Sequence, residues 1–201
     1  MDINGKKAIV FGGTSGIGLS ATQMLSKKGA HVIALSRNPD KLKNVPKNVT
    51  TKKMNVLDRD ALEKFFKEVG EYDILVNSAT GGARAVGPFL SMDLDGYKAS
   101  FDKLWGYANV VRYGTEFLKD NGNIVLVSGS PARKCRPGQI AISSVGGAVE
   151  AFARGIAPEI TPKRINIVSP GIIDTPMSPL QGKEREDYYN NTTKNNLIPR
   201  A

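Results

Sequence analysis

The chain has 201 residues, 40% hydrophobic and 23% charged, an ordinary globular balance with enough length for one substantial core. Its apolar runs fall short of the ~18 residues of a membrane-spanning helix, the opening Met-Asp-Ile-Asn-Gly-Lys-Lys lacks a signal peptide's apolar stretch, and one cysteine (Cys135) with one histidine excludes a disulfide scaffold and a His/Cys zinc site. Lys and Arg number 28 against 19 Asp and Glu, a net charge of +9 with a basic surplus of seven in residues 1–70, which predicts an anionic partner without choosing among nucleic acid, anionic lipid, nucleotide cofactor and acidic metabolite.

A single domain over residues 1–201 is expected, cytoplasmic, with no membrane segment and no metal. Lys7 to Phe11 reads as a strand, Ile17 to Lys28 as a helix ended by Gly29, and His31 to Ser36 as a second strand. A short strand near Thr50 to Met54 follows, then a helix from Ala61 to Val69 capped by Asp58 or Asp60, then the strand Asp73-Ile-Leu-Val-Asn77. The second half predicts one long helical stretch over Tyr97 to Leu118, a strand Asn123 to Ser128, a helix Ile140 to Ile160 and a strand Arg164 to Ser169. Nearly continuous Val/Ile/Leu strands separated by helices indicate a doubly wound α/β domain, a parallel sheet covered on both faces. Asn190, Asn191, Asn195 and Asn196 mark the C-terminal segment as polar and mobile.

The turn between the first strand and the first helix carries the clearest chemistry. In Gly12-Gly-Thr14-Ser15-Gly16-Ile17-Gly18, Gly12 suits a tight turn, Gly16 lets the backbone approach a pyrophosphate, and Gly18 lets helix and strand pack closely. The helix N-terminus adds amides and positive dipole, so this is a dinucleotide site. At the end of the second strand an NAD binder places an acid for the ribose 2′-hydroxyl, but Ala34-Leu-Ser-Arg-Asn38 has none. Ser36 and Arg37 suit a 2′-phosphate instead, with a hydroxyl from Thr14 or Ser15, so NADP(H) is the expected cofactor.

With these residues in place the chain resembles the short-chain dehydrogenase/reductase family over nearly its whole length. Gly12-x3-Gly16-x-Gly18 matches its glycine pattern, Asp73-Ile-Leu-Val-Asn77-Ser-Ala resembles its Asn-Asn-Ala-Gly segment, and Arg164-Ile-Asn166 with Ser169-Pro170-Gly171-Ile-Ile-Asp-Thr175 resembles its Arg-Val-Asn and Pro-Gly block. The resemblance implies a Rossmann-type sheet of about six strands in the order 3-2-1-4-5-6. It also implies Asn55 and Val56 beside the adenine, Asn77 and Ala79, with Ser78 between them, around the adenosine ribose, and Ile173 and Thr175, with Pro170 and Gly171 ahead of them, at the nicotinamide carboxamide. Asn55 stands where many members have Asp, and Thr80 replaces a Gly. The resemblance also implies a further helix and a seventh strand beyond Leu197-Ile-Pro-Arg200, whereas this sequence stops at Ala201, so the expectation is either a C-terminally shortened, truncated domain or a strand six at a sheet edge needing cover.

Family catalysis uses a tyrosine that moves a proton, a lysine four residues on and an upstream serine, because hydride delivery to a carbonyl leaves an oxyanion. Counting back from Ala157 and Glu159, matched to the family's Ala-x-Glu, the tyrosine position falls on Ile142 and the lysine position on Gly146. The serine position falls on Gly129, leaving Ser128 and Ser130 as candidate catalytic hydroxyls. Gly146-Gly147 costs ~1 kcal/mol per glycine in a helix, so it suggests close backbone approach, to the cofactor or to the same helix of a second subunit. The resemblance implies homodimers or homotetramers through the long helices.

Arg133-Lys-Cys-Arg136, after the fifth strand, is expected to draw an anionic substrate to the site or contact a cofactor phosphate. Trp105, Tyr97 and Tyr107 are expected in the core or at a subunit contact, and Cys135 lacks a base that would make it a nucleophile. Nucleic-acid binding is not expected, since no recognition motif accompanies the charge. The leading expectation is an NADPH-dependent reductase with a non-standard active site, acting on a carbonyl substrate whose identity the sequence does not give and which the basic loop suggests is anionic. The alternative is a catalytically inactive NADP-binding sensor or partner subunit.

Overall fold

Strands that are buried on both faces need a sheet whose neighbours complete every backbone hydrogen bond, and the Val/Ile/Leu runs meet that need by pairing in parallel. The computed structural model describes residues 2–201, so Met1 of the expected 1–201 domain lies outside them. In chain order the elements are β1 (Lys7–Phe11), α1 (Gly16–Lys27), β2 (His31–Ser36), β3 (Val49–Lys53), α2 (Arg59–Val69), β4 (Tyr72–Asn77), α3 (Leu94–Ala99), α4 (Asp102–Gly114), β5 (Leu118–Val127), α5 (Ile140–Ile156), β6 (Arg164–Val168) and α6 (Gly182–Thr193). One parallel sheet has the order β3-β2-β1-β4-β5-β6, as expected.

The alternation of side chains along each strand splits the core into two layers. Ile9, Phe11, Leu35, Leu75, Ile124 and Leu126 face α2, α4 and α5, where Leu62, Phe66, Tyr107, Val110 and Val149 are fully buried. On the other face Ala8, Val10, Val32, Ala34, Ile74 and Val76 meet Ala21 and Leu25 of α1. Two phenols tie helix to sheet: Tyr72 donates to the Gly114 carbonyl at 2.8 Å and Tyr107 to the Val127 carbonyl at 2.9 Å. The start of β4 is pinned by Asp73, which accepts from the Lys7 N–H at 2.9 Å and the Lys6 ammonium at 3.3 Å. Burial would raise this carboxyl, but those hydrogen bonds and the Lys119 charge outweigh it and hold the pKa below its ordinary value.

Three expectations are corrected. The helical stretch predicted over Tyr97 to Leu118 is two helices, α3 and α4, because Ser100 turns the chain: its hydroxyl donates to the Gly96 carbonyl and accepts from the Ala85 N–H, both at 2.9 Å. Leu118 already belongs to β5, whose register against β4 shifts between Tyr72 and Ile74. In the Asn-rich C-terminal segment Asn190 and Asn191 belong to α6 while Asn195 and Asn196 follow it, and α6 is seated by buried Tyr189 and Thr193 one turn apart and by Arg185, which donates to the carbonyls of Thr175, Ser178 and Leu180 and pairs with Asp174. The helix predicted over Ile140 to Ile160 becomes a 3-10 turn at Ala157. Among the described residues, 140–160 are the one stretch long and apolar enough to cross a membrane, yet Ala141, Val145, Val149 and Ala153 lie in the core of the domain. Among the described residues β6 is the last strand of the sheet, with Arg164, Asn166 and Val168 exposed.

Candidate functional site

From β1 the chain winds outward through β2 and β3 and then crosses to β4, so the loops after β1 and β4 leave the sheet in opposite directions and open a crevice at its carboxyl edge. A cavity of about 840 Å³ occupies that crevice, near the upper end of the ~300–1,000 Å³ usual for ligand sites.

On the β1 side the wall is backbone. Gly12 (φ +75°) and Gly16 (φ +52°) adopt left-handed conformations that favour glycine. A Cβ on Gly18 would overlap the Gly12 carbonyl oxygen and the Ser78 hydroxyl, which is why α1 can start so close to the strand. Ser15, the N-cap of α1, makes no side-chain cap and the first turn holds no acid, so its amides stay open to an anion. Thr14, Ser15, Gly16, Ile17 and Gly18 all line the cavity.

At the end of β2, the Thr14 hydroxyl donates to the Ser36 hydroxyl at 2.8 Å. The exposed Arg37 guanidinium donates to the Gly81 carbonyl at 3.2 Å, pairs with no acid among the described residues, and lines the cavity with Ser36. Asn55, Val56, Ser78 and Ala79 flank this end, and Pro170, Gly171, Ile173 and Thr175 close the other. Of the sequence-derived cofactor residues only Asn77 does not line the cavity. It is fully buried, accepts from the Ala79 N–H at 3.1 Å and shapes the turn, leaving its amide nitrogen without a partner.

The β5–α5 wall departs further from expectation. Ser128 reaches the cavity, but its hydroxyl donates to the Gly146 carbonyl at 3.1 Å. Ser130 does not line it, because its N–H bonds the Pro170 carbonyl and the chain turns away into a short 3-10 segment. Gly129, Ile142 and Gly146 do line it. Gly146 is a close-approach position, where a Cβ would sit 3.0 Å from the Ala132 Cβ and 3.2 Å from the Ser128 Oγ, whereas Gly147 faces open space.

The basic loop is corrected as well. Arg133 pairs with Glu150 at 3.1 Å, and that carboxylate also accepts from the Ser169 hydroxyl at 2.6 Å. The Ser169 bond, then Arg133, outweighs burial and lowers the Glu150 pKa. Cys135 and Arg136 line a separate cleft with Phe89 and Tyr97, so the loop does not form the mouth of the main cavity. Tyr107 is in the core as expected, but Trp105 is 57% exposed, and the Tyr97 hydroxyl donates to Ser144 at 3.0 Å.

Sequence reading missed the cavity's Arg84, Lys103, Tyr188 and Tyr189, together with the hydroxyls of Ser100 and Ser178. Lys103 had a signal, since positions 103, 107, 110 and 114 form one helical stripe whose other members are buried. Its ammonium lies 5.5 Å from the Tyr107 ring centre and donates to the Ser128 carbonyl at 3.3 Å. Burial, with a smaller push from the Arg84 charge, brings its pKa down to about 7.

A model of the short chain dehydrogenase family matches residues 6–186. The 3-oxoacyl-(acyl-carrier-protein) reductase of Thermotoga maritima is 32% identical over 203 residues, covering 92% of this chain and 82% of that protein. The L-xylulose reductase of Mesocricetus auratus is 29% identical over 186 residues, covering 88% and 75%. Among solved structures, a short chain dehydrogenase from Burkholderia cenocepacia in complex with NADP superposes with a TM-score of 0.81 at 28% identity, covering 89% of this chain and 77% of that one. Ligand-free aldohexose dehydrogenase of Thermoplasma acidophilum superposes with a TM-score of 0.87 at 25% identity, covering 99% and 82%.

Proposed function

Since the chain belongs to the short chain dehydrogenase family of oxidoreductases, we propose that it is an NADP(H)-dependent oxidoreductase acting on a carbonyl or alcohol substrate without the family's tyrosine and lysine, whose positions fall on Ile142 and Gly146. The observation that carries the reading is the Thr14–Ser36–Arg37 cluster, which offers two hydroxyls and an acid-free guanidinium at the end of β2, next to the uncapped start of α1. A structural neighbour of this chain, the short chain dehydrogenase from Burkholderia cenocepacia, is in complex with NADP.

The glycine turn fits a pyrophosphate, because Gly18 lets α1 start close against β1 with its amides open and no acid stands in the first turn of α1. Arg37, Ser36 and Thr14 would hold the 2′-phosphate, Asn55 and Val56 the adenine, Ser78 and Ala79 the adenosine ribose, and Ile173 and Thr175 the carboxamide. Bound there, the cofactor supplies a hydride. The chain's own part is to position donor and acceptor and keep water out, which by itself lowers a barrier substantially. Titration of NADPH against NADH, followed by nicotinamide fluorescence, should give affinities at least tenfold apart, and Arg37→Glu should erase the difference. Equal affinities in the wild type would sink the 2′-phosphate assignment.

A second reading, a non-catalytic NADP-binding sensor or subunit, draws on Ser128, whose proton is committed to Gly146, and on Ser130, which lies outside the cavity. A panel of carbonyl substrates monitored by NADPH consumption separates the two. Association through the long helices fits exposed Trp105 on α4 and belongs equally to both readings.

A further inference from the structure

After the cofactor contacts are assigned, two cations in the cavity have no acidic partner among the described residues. Arg84, on the loop after β4, and Lys103, on the first turn of α4, both line it and are half-buried. Among the described residues neither has a carboxylate within 4.0 Å, although the chain pairs other charges readily, at Asp73, Glu150 and Asp174. Removing charge from water without an opposite charge is costly, and placing a second like charge near it adds repulsion. A protein that keeps such a pair at a cavity wall has an anion to put there.

Position separates the Lys103 ammonium from the residues assigned to the cofactor's phosphates. Lys103 is fixed to the Ser128 carbonyl at the end of β5, while the glycine cradle follows β1 and Arg37 follows β2. At ~4.8 Å per strand, these lie ~10 and ~14 Å from β5. The expectation that a basic loop attracts the substrate failed at Arg133, so these two residues replace it as the chain's anion-directed feature.

We propose that Lys103 and Arg84 form an anion site at the substrate end of the cavity, which receives the carboxylate of a small oxo-acid or hydroxy-acid substrate. The proposal rests on reading the chain as an oxidoreductase of carbonyl and alcohol groups, and it names the substrate class. Arg84 stays charged at all working pH values and can meet a carboxylate with two parallel N–H donors, while Lys103 contributes a point charge. The groups facing Lys103 are Arg84 from the loop after β4, the Tyr107 ring from α4 and the Ser128 carbonyl from β5. Elsewhere round the cavity Tyr188 and Tyr189 enter from α6 and Arg37 from β2, and behind the α5 wall Glu150 is already engaged by Ser169 and Arg133. With no carboxylate among them to hold the ammonium charged, anion affinity should fall as Lys103 loses its proton.

The test is calorimetric titration of oxalate into the full chain, with and without saturating NADP+. Oxalate should bind in both conditions. Affinity should drop at least tenfold in Lys103→Met and in Arg84→Met and stay within threefold in Lys103→Arg. Between pH 6 and 8 it should weaken about tenfold in the wild type, as a lysine with a pKa about 7 loses its charge, and not in Lys103→Arg. Melting temperatures report folding, and removing a buried unpaired charge should leave them level or higher. Oxalate displaced by NADP+ would assign the pair to a cofactor phosphate, and wild-type affinity in folded Lys103→Met and Arg84→Met would make it a surface accident. Either result overturns the proposal. NADPH fluorescence on the same samples keeps the cofactor assignment separate, because oxalate binding to the free chain does not depend on it.

Discussion

Around the β1–α1 turn the cavity is lined by backbone: glycines, open amides and a strand-to-helix passage too tight for any side chain. Across from it, at the ends of β4 and β5, the lining is side chain, with Arg84 and Lys103 supplying charge and Ile142 and Val145 supplying apolar surface. The first wall can grip any dinucleotide diphosphate, since amides and helix dipole read only negative charge. The second wall distinguishes substrates, because side chains can change singly without disturbing the sheet. In a site divided in this way the glycine wall does not depend on the side chains of the wall opposite.

Alanine substitutions at glycines in the two walls probe the division, and the largest effect belongs to the first. Gly18→Ala sets a methyl group against the Gly12 carbonyl and the Ser78 hydroxyl, and the carbonyl, being backbone of β1's own turn, cannot swing aside. The loss should reach or exceed the upper end of the ~1–3 kcal/mol typical of overpacking, seen as a lower urea midpoint, and NADPH binding should disappear with it. Unchanged stability would mean the turn is not tight. On α5, behind the second wall, Gly147→Ala should act in the opposite direction. Its Cβ meets nothing within 4 Å, so the substitution should gain about 1 kcal/mol from helix propensity, read as a raised urea midpoint with NADPH affinity unchanged.

The division also explains what the sequence disclosed. The first wall is local: Gly12 to Gly18 and Ser36-Arg37 are short segments whose spacing alone implies strand, turn, helix and phosphate contacts, and all of them but Gly13 line the cavity. The second wall is assembled by topology. Arg84 and Lys103 are 19 positions apart and meet only because the loop after β4 and the first turn of α4 fold onto one cavity. Charge counting pointed away from them, since residues 71–120 hold 5 basic and 7 acidic side chains. The Asn-rich segment misled for a related reason: its polar composition hid the Tyr189 and Thr193 pair that seats α6, a two-residue anchor too short to show as a period. The break at Ser100 depends on the Ala85 N–H, a partner that only the folded chain supplies.

Gly146→Ala should have the smallest effect, and it discriminates most finely. Like Gly147 it lies inside α5, so helix propensity alone predicts the same gain of about 1 kcal/mol. Unlike Gly147 it is buried, with a future Cβ at 3.0 Å from the Ala132 Cβ and 3.2 Å from the Ser128 Oγ, distances at which neighbours must give way by a few tenths of an ångström. Ala132 is held by a 3-10 turn whose N–H bonds to the Gly129 carbonyl, and Ser128 by its bond to the Gly146 carbonyl, so both resist. The two contributions should cancel to within about 0.5 kcal/mol, an ordinary outcome for mild overpacking set against propensity. A gain equal to that of Gly147→Ala would show that this wall is loose and that Gly146 is no more than a missing side chain. A null result in stability, with the Ser128 hydroxyl displaced, would show that α5 is drawn close to β5 by the glycine itself, leaving at position 146 no room for a lysine and at position 103 the one lysine that lines the cavity.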